Sequence, residues 1–425
     1  MPRLILPPGV RYACMRCGAC CRSLEVTVTD AERERLLAHD WSDELGDVAP
    51  ERLFARIRGG RGLQRWRLRP RPEGACPFLG EDALCRVHAE LGYEAKPFAG
   101  RLFPFTFAFT PVGVFVGCRF SCPAVVRGKG PPLEAQRGEI ERLRREYVGI
   151  YSPRPEPERV RFFGRYELSW HDVLRLEDQL VAFLGIDELS VARRLLACRR
   201  LVRRFVGLAL TREEGTRVGV EPEAIVEEVR LERLEAKPLS SMERVLLRLL
   251  TATFLGAELP SFRERPRGRR LVTRLGKLGG RMELAVGRGR LRLPGVDAAV
   301  PVGETAAVDC AAIDAPSAGM LERYFAAKVA SQGFFGRSFF GRSFVSGMDF
   351  LACVYGTIVW VAAAHAVAGG RRDLGADDVA YAIRQVDYGF NYIGAFGGRV
   401  ERMRAALFWQ WDTPEKLLVA LSRGG

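Results

Sequence analysis

The stretch Cys14-Met15-Arg16-Cys17-Gly18-Ala19-Cys20-Cys21 places four thiols in eight residues, far more than a packed core requires. Two-residue gaps, Cys14 to Cys17 and Cys17 to Cys20, let neighbouring thiolates converge on one metal from a tight turn. Gly18 supplies the backbone freedom. Cys20 and Cys21 differ, because adjacent side chains diverge in most backbone conformations. Either one is spare or each serves a separate centre.

Four further cysteines, Cys76, Cys85, Cys118 and Cys122, also precede residue 126. The eight together are candidate metal ligands. Three others, Cys198, Cys310 and Cys353, stand alone; Cys198 and Cys353 fall within helical patterns, where a thiol behaves as a small hydrophobe. All-sulfur ligation suits zinc and iron–sulfur clusters alike. The opening run has the spacing of a ferredoxin cluster motif, and Cys118-x3-Cys122-Pro123 echoes its closing element, which points to a 4Fe-4S cluster. Both metals stay open on the spacing alone.

Around the cysteines, Leu24 to Val28 alternates as a strand. Thr29-Asp30-Ala31-Glu32 is a capping box that predicts a helix through Leu37. A second helix is expected over Asp43 to Ile57. Cys76-Pro77-Phe78-Leu79 and Ala83-Leu84-Cys85 flank Gly80-Glu81-Asp82 as a hairpin turn. A short helix is expected from Arg86 to Leu91. Leu102 to Phe109 and Val112 to Gly117 predict a second hairpin, which delivers Cys118 and Cys122.

Arg127-Gly128-Lys129-Gly130-Pro131-Pro132 reads as a linker. Beyond it, three- and four-residue apolar spacing predicts helices over Leu133–Tyr147, Trp170–Leu184, Ser190–Leu210, Glu221–Leu234 and Ser241–Phe254. The pattern resumes over Ala318–Ala330, Asp349–Ala368, Ala376–Val386 and Gly398–Trp409. A basic, glycine-punctuated segment, 263–303, interrupts them, with a short strand expected at Arg290–Leu293. The fold class is therefore α+β. A small, irregular cysteine-rich domain with short hairpins (1–126) precedes a larger, mainly helical one (133–425).

The chain has 425 residues, 48% of them hydrophobic, enough for a sizeable core. Its formal charge is +14, yet only six of its 65 basic residues are lysines, and the arginines are spread rather than gathered in a tail. A GC-rich genome, which writes arginine where others write lysine, explains this more simply than a polyanion partner. Nucleic acid is thus not favoured, although an acidic protein surface remains a candidate partner. Leu4-Ile5-Leu6 is too short for a secretory core, and Pro7-Pro8-Gly9 breaks it, so a cytoplasmic, thiol-reducing location is expected. Phe350 to Gly370 lacks formal charge and could span a bilayer by length. Its Tyr355, Gly356, Thr357 and His365 favour a buried central helix.

Other motifs weigh less. Arg65-Trp66-Arg67-Leu68-Arg69 alternates, and reads either as an anion patch extended by Arg58, Arg61 and Arg71 or as a charged edge strand. Phe334-Phe335-Gly336-Arg337-Ser338 repeats at once as Phe339-Phe340-Gly341-Arg342-Ser343. An aromatic wedge is preferred there over an anion nest or a cofactor pocket. His88 could join a metal site but reads better as a surface residue, and His365 reads as a core one. Nucleophile-elbow, phosphate-loop, zinc-protease and Rossmann patterns are absent from the sequence, as is a radical S-adenosylmethionine motif.

CMRCGACCRS, the Cys76-Pro-Phe-Leu to Cys85-Arg-Val-His hairpin, and Lys96-Pro97 ahead of Arg101-Leu-Phe103-Pro104-Phe105 resemble the YkgJ-type cysteine-cluster family. The resemblance covers residues 14 to 123 and implies a zinc- or iron-chelating domain. Longer members with a helical C-terminal region include flagellin lysine-N-methylases. That likeness implies methyl transfer from S-adenosylmethionine to lysines of a flagellin-like protein substrate. It rests on length and helical character alone, so the alternative is a non-enzymatic metal carrier or sensor with a helical partner-binding domain. One departure stands out: the family pattern Arg-Pro-x-x-Cys-Arg-x-Phe-Pro has Gly100 here in place of its cysteine, which asks for a substitute ligand such as Cys118 or Cys122.

Overall fold

The computed structural model describes residues 2–45, 50–57, 62–72, 74–211, 222–231, 237–255, 282–310, 313–392 and 394–422. Two three-stranded sheets and eight of the eleven cysteines occupy the first third, and helices dominate afterwards.

The capping box forms as its sequence dictates. Thr29 Oγ1 accepts from the Glu32 amide (3.2 Å), and Glu32 Oε2 accepts from the Thr29 amide (2.7 Å), opening the helix Asp30–Leu37. The helix expected over Asp43–Ile57 does not form. A single turn, Ser42–Leu45, is followed by a 3-10 turn at Pro50–Leu53 and a strand at Phe54–Arg56. Pro50 disfavours helical backbone at the residue before it, and Phe54 pairs better than it coils. It lies opposite Leu68 in a three-stranded antiparallel sheet.

The arginine-rich strand, Trp66–Leu68, is the middle strand of that sheet, between Thr27–Val28 and Phe54–Arg56. The charged-edge reading is therefore corrected. Its arginines have structural partners: Arg67 lies 3.7 Å from Glu25, Arg69 Nε donates to the Phe54 carbonyl (3.2 Å), and Arg71 donates to the Pro77 carbonyl (2.7 Å). Arg58 and Arg61 lie outside the described residues.

This sheet, the capping-box helix and the Cys76–Cys85 turn enclose a small core of Val28, Leu36, Trp41, Leu53, Phe54, Leu68, Phe78, Val87 and Ala95. A second, far larger core runs from Leu4 to Val419. The hairpin Phe105–Thr110/Gly113–Cys118 belongs to the larger one, with Leu4–Ile5 parallel to its second strand. All six residues of that second strand are buried, because the helix Ala315–Ala330 packs against it.

At the centre of the large core lies the helix Phe344–Ala368. It is long and apolar enough to cross a membrane, and 78% of its most apolar window is buried by the rest of the chain. The helices Val191–Thr211, Ser241–Leu255, Ala376–Tyr392 and Thr413–Leu421 surround it. Arg199, 2% exposed, pins three of these elements by pairing with Asp349 (2.9 Å), Asp412 and Glu415. The helix Trp170–Leu184 has the expected bounds. The expected strand at Arg290 pairs as Arg290–Arg292 with Ala299–Pro301, and residues 263–281 of the basic segment lie outside the described residues. A hairpin, Arg159–Phe163/Tyr166–Ser169, and the last helix, Thr413–Leu421, add to the pattern expected from periodicity.

Candidate metal centre

The first four cysteines sit on a turn that two left-handed residues create, Arg16 (φ +54°) and Gly18 (φ +64°). Gly18 is needed for space as well. A methyl group there would stand 3.2 Å from Leu79 Cδ1 and 3.3 Å from Ala83 Cβ, on the turn that carries Cys76 and Cys85. The chain then enters a short helix, Ala19–Ser23, holding Cys20 and Cys21. Their sulfurs lie 3.9 Å apart, closer than the divergence expected of neighbours. One helical step separates their Cβ directions by roughly 100°, and both side chains turn inward from it.

The two neighbours share Cys76, and Cys20 alone is also felt by Cys122. Burial and the sulfurs of Cys20, Cys76 and Cys85 push the Cys21 thiol up, with the Cys20 hydrogen bond as the largest cause. Cys76 is pushed up to about 12, by burial first and then by Cys85. The Cys76 amide donates to the Cys21 carbonyl (2.6 Å), and Leu79 and Cys85 form a bridge across the turn. By contrast, Cys122 is pushed up to about 11 by burial, and then by Cys20 and Cys17, against backbone N–H groups of Val125 and Ala124 that favour its thiolate. Tyr12, its hydroxyl raised first by burial, also feels Cys14, Cys122 and Cys20. Electrostatically, Cys122 is thus linked to Cys17 and Cys20, Tyr12 to Cys14, Cys20 and Cys122, and Cys21 to Cys76 and Cys85, with Cys20 felt on both sides.

Cys20 is held below an ordinary thiol. The Cys21 S–H donated to it and the field of Lys96 lower it to about 7, against burial. Cys118 stands apart, buried beside Cys122 and the Lys328–Asp387 pair, where burial pushes its thiol up. All eleven cysteines are free thiols. Among the described residues, no three Cys, His, Asp or Glu side chains converge tightly enough to hold an ion as they stand. The sulfurs are gathered without being closed. Their chemistry fits zinc or iron: an all-thiol set, one member ionising near neutrality, with cationic side chains at hand to offset thiolate charge.

A cavity of about 450 Å³ opens beside the second group, lined by Cys20, Cys21, Cys76 and Cys85 and walled by Lys96 and Gly100. A methyl group at Gly100 would touch nothing nearer than Lys96 Cε, at 3.9 Å. The position where the resembled family carries a cysteine therefore faces this group. Cys118 and Cys122, the substitutes suggested by sequence, do not line the cavity.

Several residues around the sulfurs escaped sequence reasoning. The helix Ala376–Tyr392 docks onto the cysteine segment. Asp387 accepts from the Ser121 amide (2.9 Å), Arg384 Nε donates to the Ser121 carbonyl (3.3 Å), and the Tyr388 hydroxyl donates to the Ser23 carbonyl (2.9 Å). Burial lowers Arg384, and the sulfurs of Cys17 and Cys122 raise it, which places this cation beside the first group. These partners are more than 260 positions apart, so no local pattern marks them. The linker is also a contact. Gly130 (φ +102°) abuts Tyr12 and Ala13, where a methyl group would stand 2.4 Å from the Ala13 nitrogen. The Tyr12 amide donates to the Pro131 carbonyl (3.1 Å).

His88 is exposed, as expected of a surface residue. His365 Nδ1 lies 2.6 Å from Asp378 and its ring stacks on Tyr381 at 4.2 Å, a satisfied position.

Residues 13–121 match the model of the CxxCxxCC family, whose description reads "Putative zinc- or iron-chelating domain". An uncharacterized protein of Methanocaldococcus jannaschii is 26% identical over 175 residues, covering 39% of this chain. The chain spans about half, 56%, of the length of that curated relative. No solved structure matches.

Proposed function

We propose, from the premise that residues 13–121 of this chain belong to the cysteine-cluster family of zinc- or iron-chelating domains, that the protein holds metal at two thiolate centres. Metal binding is the family's property, and the division into two centres is our reading. Cys14, Cys17, Cys20 and Cys122 would hold the first, an iron–sulfur cluster of the 4Fe-4S type or a zinc ion. Cys21, Cys76 and Cys85 would hold the second, with one side open at Gly100. The observation that supports this is that Cys122 feels Cys20 and Cys17 whereas Cys21 feels Cys76 and Cys85, with Cys20 shared between the two groups.

A bound iron–sulfur cluster supplies one-electron chemistry, whereas zinc supplies a structural cross-link. The chain's own residues then act around it. Backbone N–H groups favour the Cys122 thiolate, Arg384 and Lys96 offset negative charge, and the docked helix Ala376–Tyr392 links the site to the helical half. This arrangement supports a metal carrier or sensor in a reducing, cytoplasmic compartment, with the helical half facing a partner protein.

The enzyme reading, methyl transfer from S-adenosylmethionine to a lysine of a flagellin-like protein, stands on the resemblance alone. It requires the lysine amine to lose its proton and attack the methyl carbon as the methyl–sulfonium bond breaks.

Anaerobic purification with an absorption spectrum and assays of iron, sulfide and zinc tests the proposal. Two centres predict that Cys20→Ala and Cys76→Ala each lose a different part of the metal. Loss of all metal in both variants would leave a single centre. Calorimetry with S-adenosylmethionine on the metal-replete protein separates enzyme from carrier.

A further inference from the structure

The repeated pentapeptide gives two copies of one local sequence in different surroundings. In the first copy, Gly336-Arg337-Ser338, the turn already holds an anion. The Glu156 carboxylate accepts from the Ser338 amide (3.1 Å), and a methyl group at Gly336 would stand 2.7 Å from its oxygen. The Arg337 backbone also favours this carboxylate, against a burial that pushes it up. In the second copy, Phe340, Gly341, Arg342 and Ser343 instead line a cavity of about 640 Å³. Its other walls include Phe350, Phe396 and Trp409.

Arg342 is 8% exposed. Its guanidinium donates to Ser346 Oγ (3.2 Å) and the Phe396 carbonyl (3.3 Å), while its Nε has no acceptor among the described residues. It rests over the rings of Phe350 (4.7 Å) and Phe339 (5.6 Å). No carboxylate among the described residues pairs with it. The cavity's two acids are committed elsewhere, Asp349 to Arg199 and Glu401 to Arg404. Against those two, four arginines line the space: Arg161, Arg342, Arg402 and Arg404. A buried cation that feels Glu401, an acid already held by Arg404, and that faces an aromatic-walled space, offers a place for an anion from outside.

We propose that this cavity binds an amphiphilic anion, a molecule with an aromatic or long apolar body ending in one acidic group that pairs with Arg342. The aromatic walls take the body and the guanidinium takes a carboxylate, phosphate or sulfonate. The cavity shares no lining residue with the one beside the cysteines, so the inference is independent of metal binding.

The test titrates the full chain with two dyes of one shape, 8-anilinonaphthalene-1-sulfonate and its neutral parent N-phenyl-1-naphthylamine. One site should prefer the sulfonate by about tenfold or more, the scale of one charge-assisted hydrogen bond. Arg342→Gln should abolish that preference and leave the neutral dye's affinity unchanged. Trp409→Phe keeps an aromatic wall and should lower tryptophan-to-dye energy transfer more than Trp41→Phe does, and this readout decides the matter should Arg342→Gln not fold. Equal affinity for both dyes, a preference that survives Arg342→Gln, or energy transfer lowered no more in Trp409→Phe than in Trp41→Phe would each overturn the proposal.

Discussion

The two cores are held by different means. The small one, around Trp41 and Phe78, has nine buried apolar side chains, too few to offset the ordering of some seventy residues by burial alone. The large one encloses a helix with eighteen buried residues and is locked by buried ion pairs. A chain can therefore rely on packing where it is helical, and on ligands where it is short-stranded and cysteine-bearing.

The sharpest way to break this contrast is to strip the metal. Binding free energy on the order of 10 kcal/mol would leave with it. The expected result is rapid proteolysis within residues 14–95 while the helical circular dichroism persists; a simultaneous collapse of both would refute the distinction. Leu351→Ala, at a fully buried position of the central helix, should cost about 2–5 kcal/mol while metal content is unchanged. Metal loss in that variant would show the two regions to be one cooperative unit. Next comes Lys328→Met. Lys328 Nζ lies 2.6 Å from Asp387, which is fully buried and also holds the Ser121 amide. Taking one cation from that carboxylate, which the buried Arg119 also faces, should cost on the order of 1–3 kcal/mol, visible as a lowered denaturant midpoint.

The smallest effect concerns pH. Burial raises Glu177 to about 8, against the hydrogen bond from Gln332. A carboxyl whose folded pKa is raised binds its proton more tightly when folded. Its contribution is therefore most favourable below the unfolded pKa and is lost as pH rises toward 8. Glu177→Gln should accordingly stabilise the protein at pH 7 by on the order of 1–3 kcal/mol. The gain should vanish below pH 4, measured by thermal unfolding across pH.

Legibility in the sequence divides along similar lines. Trp170–Leu184 and the Thr29–Glu32 box were readable because their causes lie within a few residues. The strand Phe54–Arg56 was not, since its partner Trp66–Leu68 decides it and helical spacing competes locally. The cysteine groups were visible as pairs. Their sorting into neighbourhoods depends on how the Cys76–Cys85 turn and Cys122 meet the opening loop, which spacing does not encode. Arg384, Asp387 and Tyr388 were invisible for the same reason: a helix residue acquires its role from a loop 263 or more positions earlier.

At Gly130 the polypeptide crosses its own beginning with no room for a side chain. The strand of residues just ahead of Cys14 is wedged there like a hinge pin. One methyl group added on the far side of the crossing would lever the opening loop outward, so a harmless-looking alanine could cost the protein its metal without touching a single sulfur.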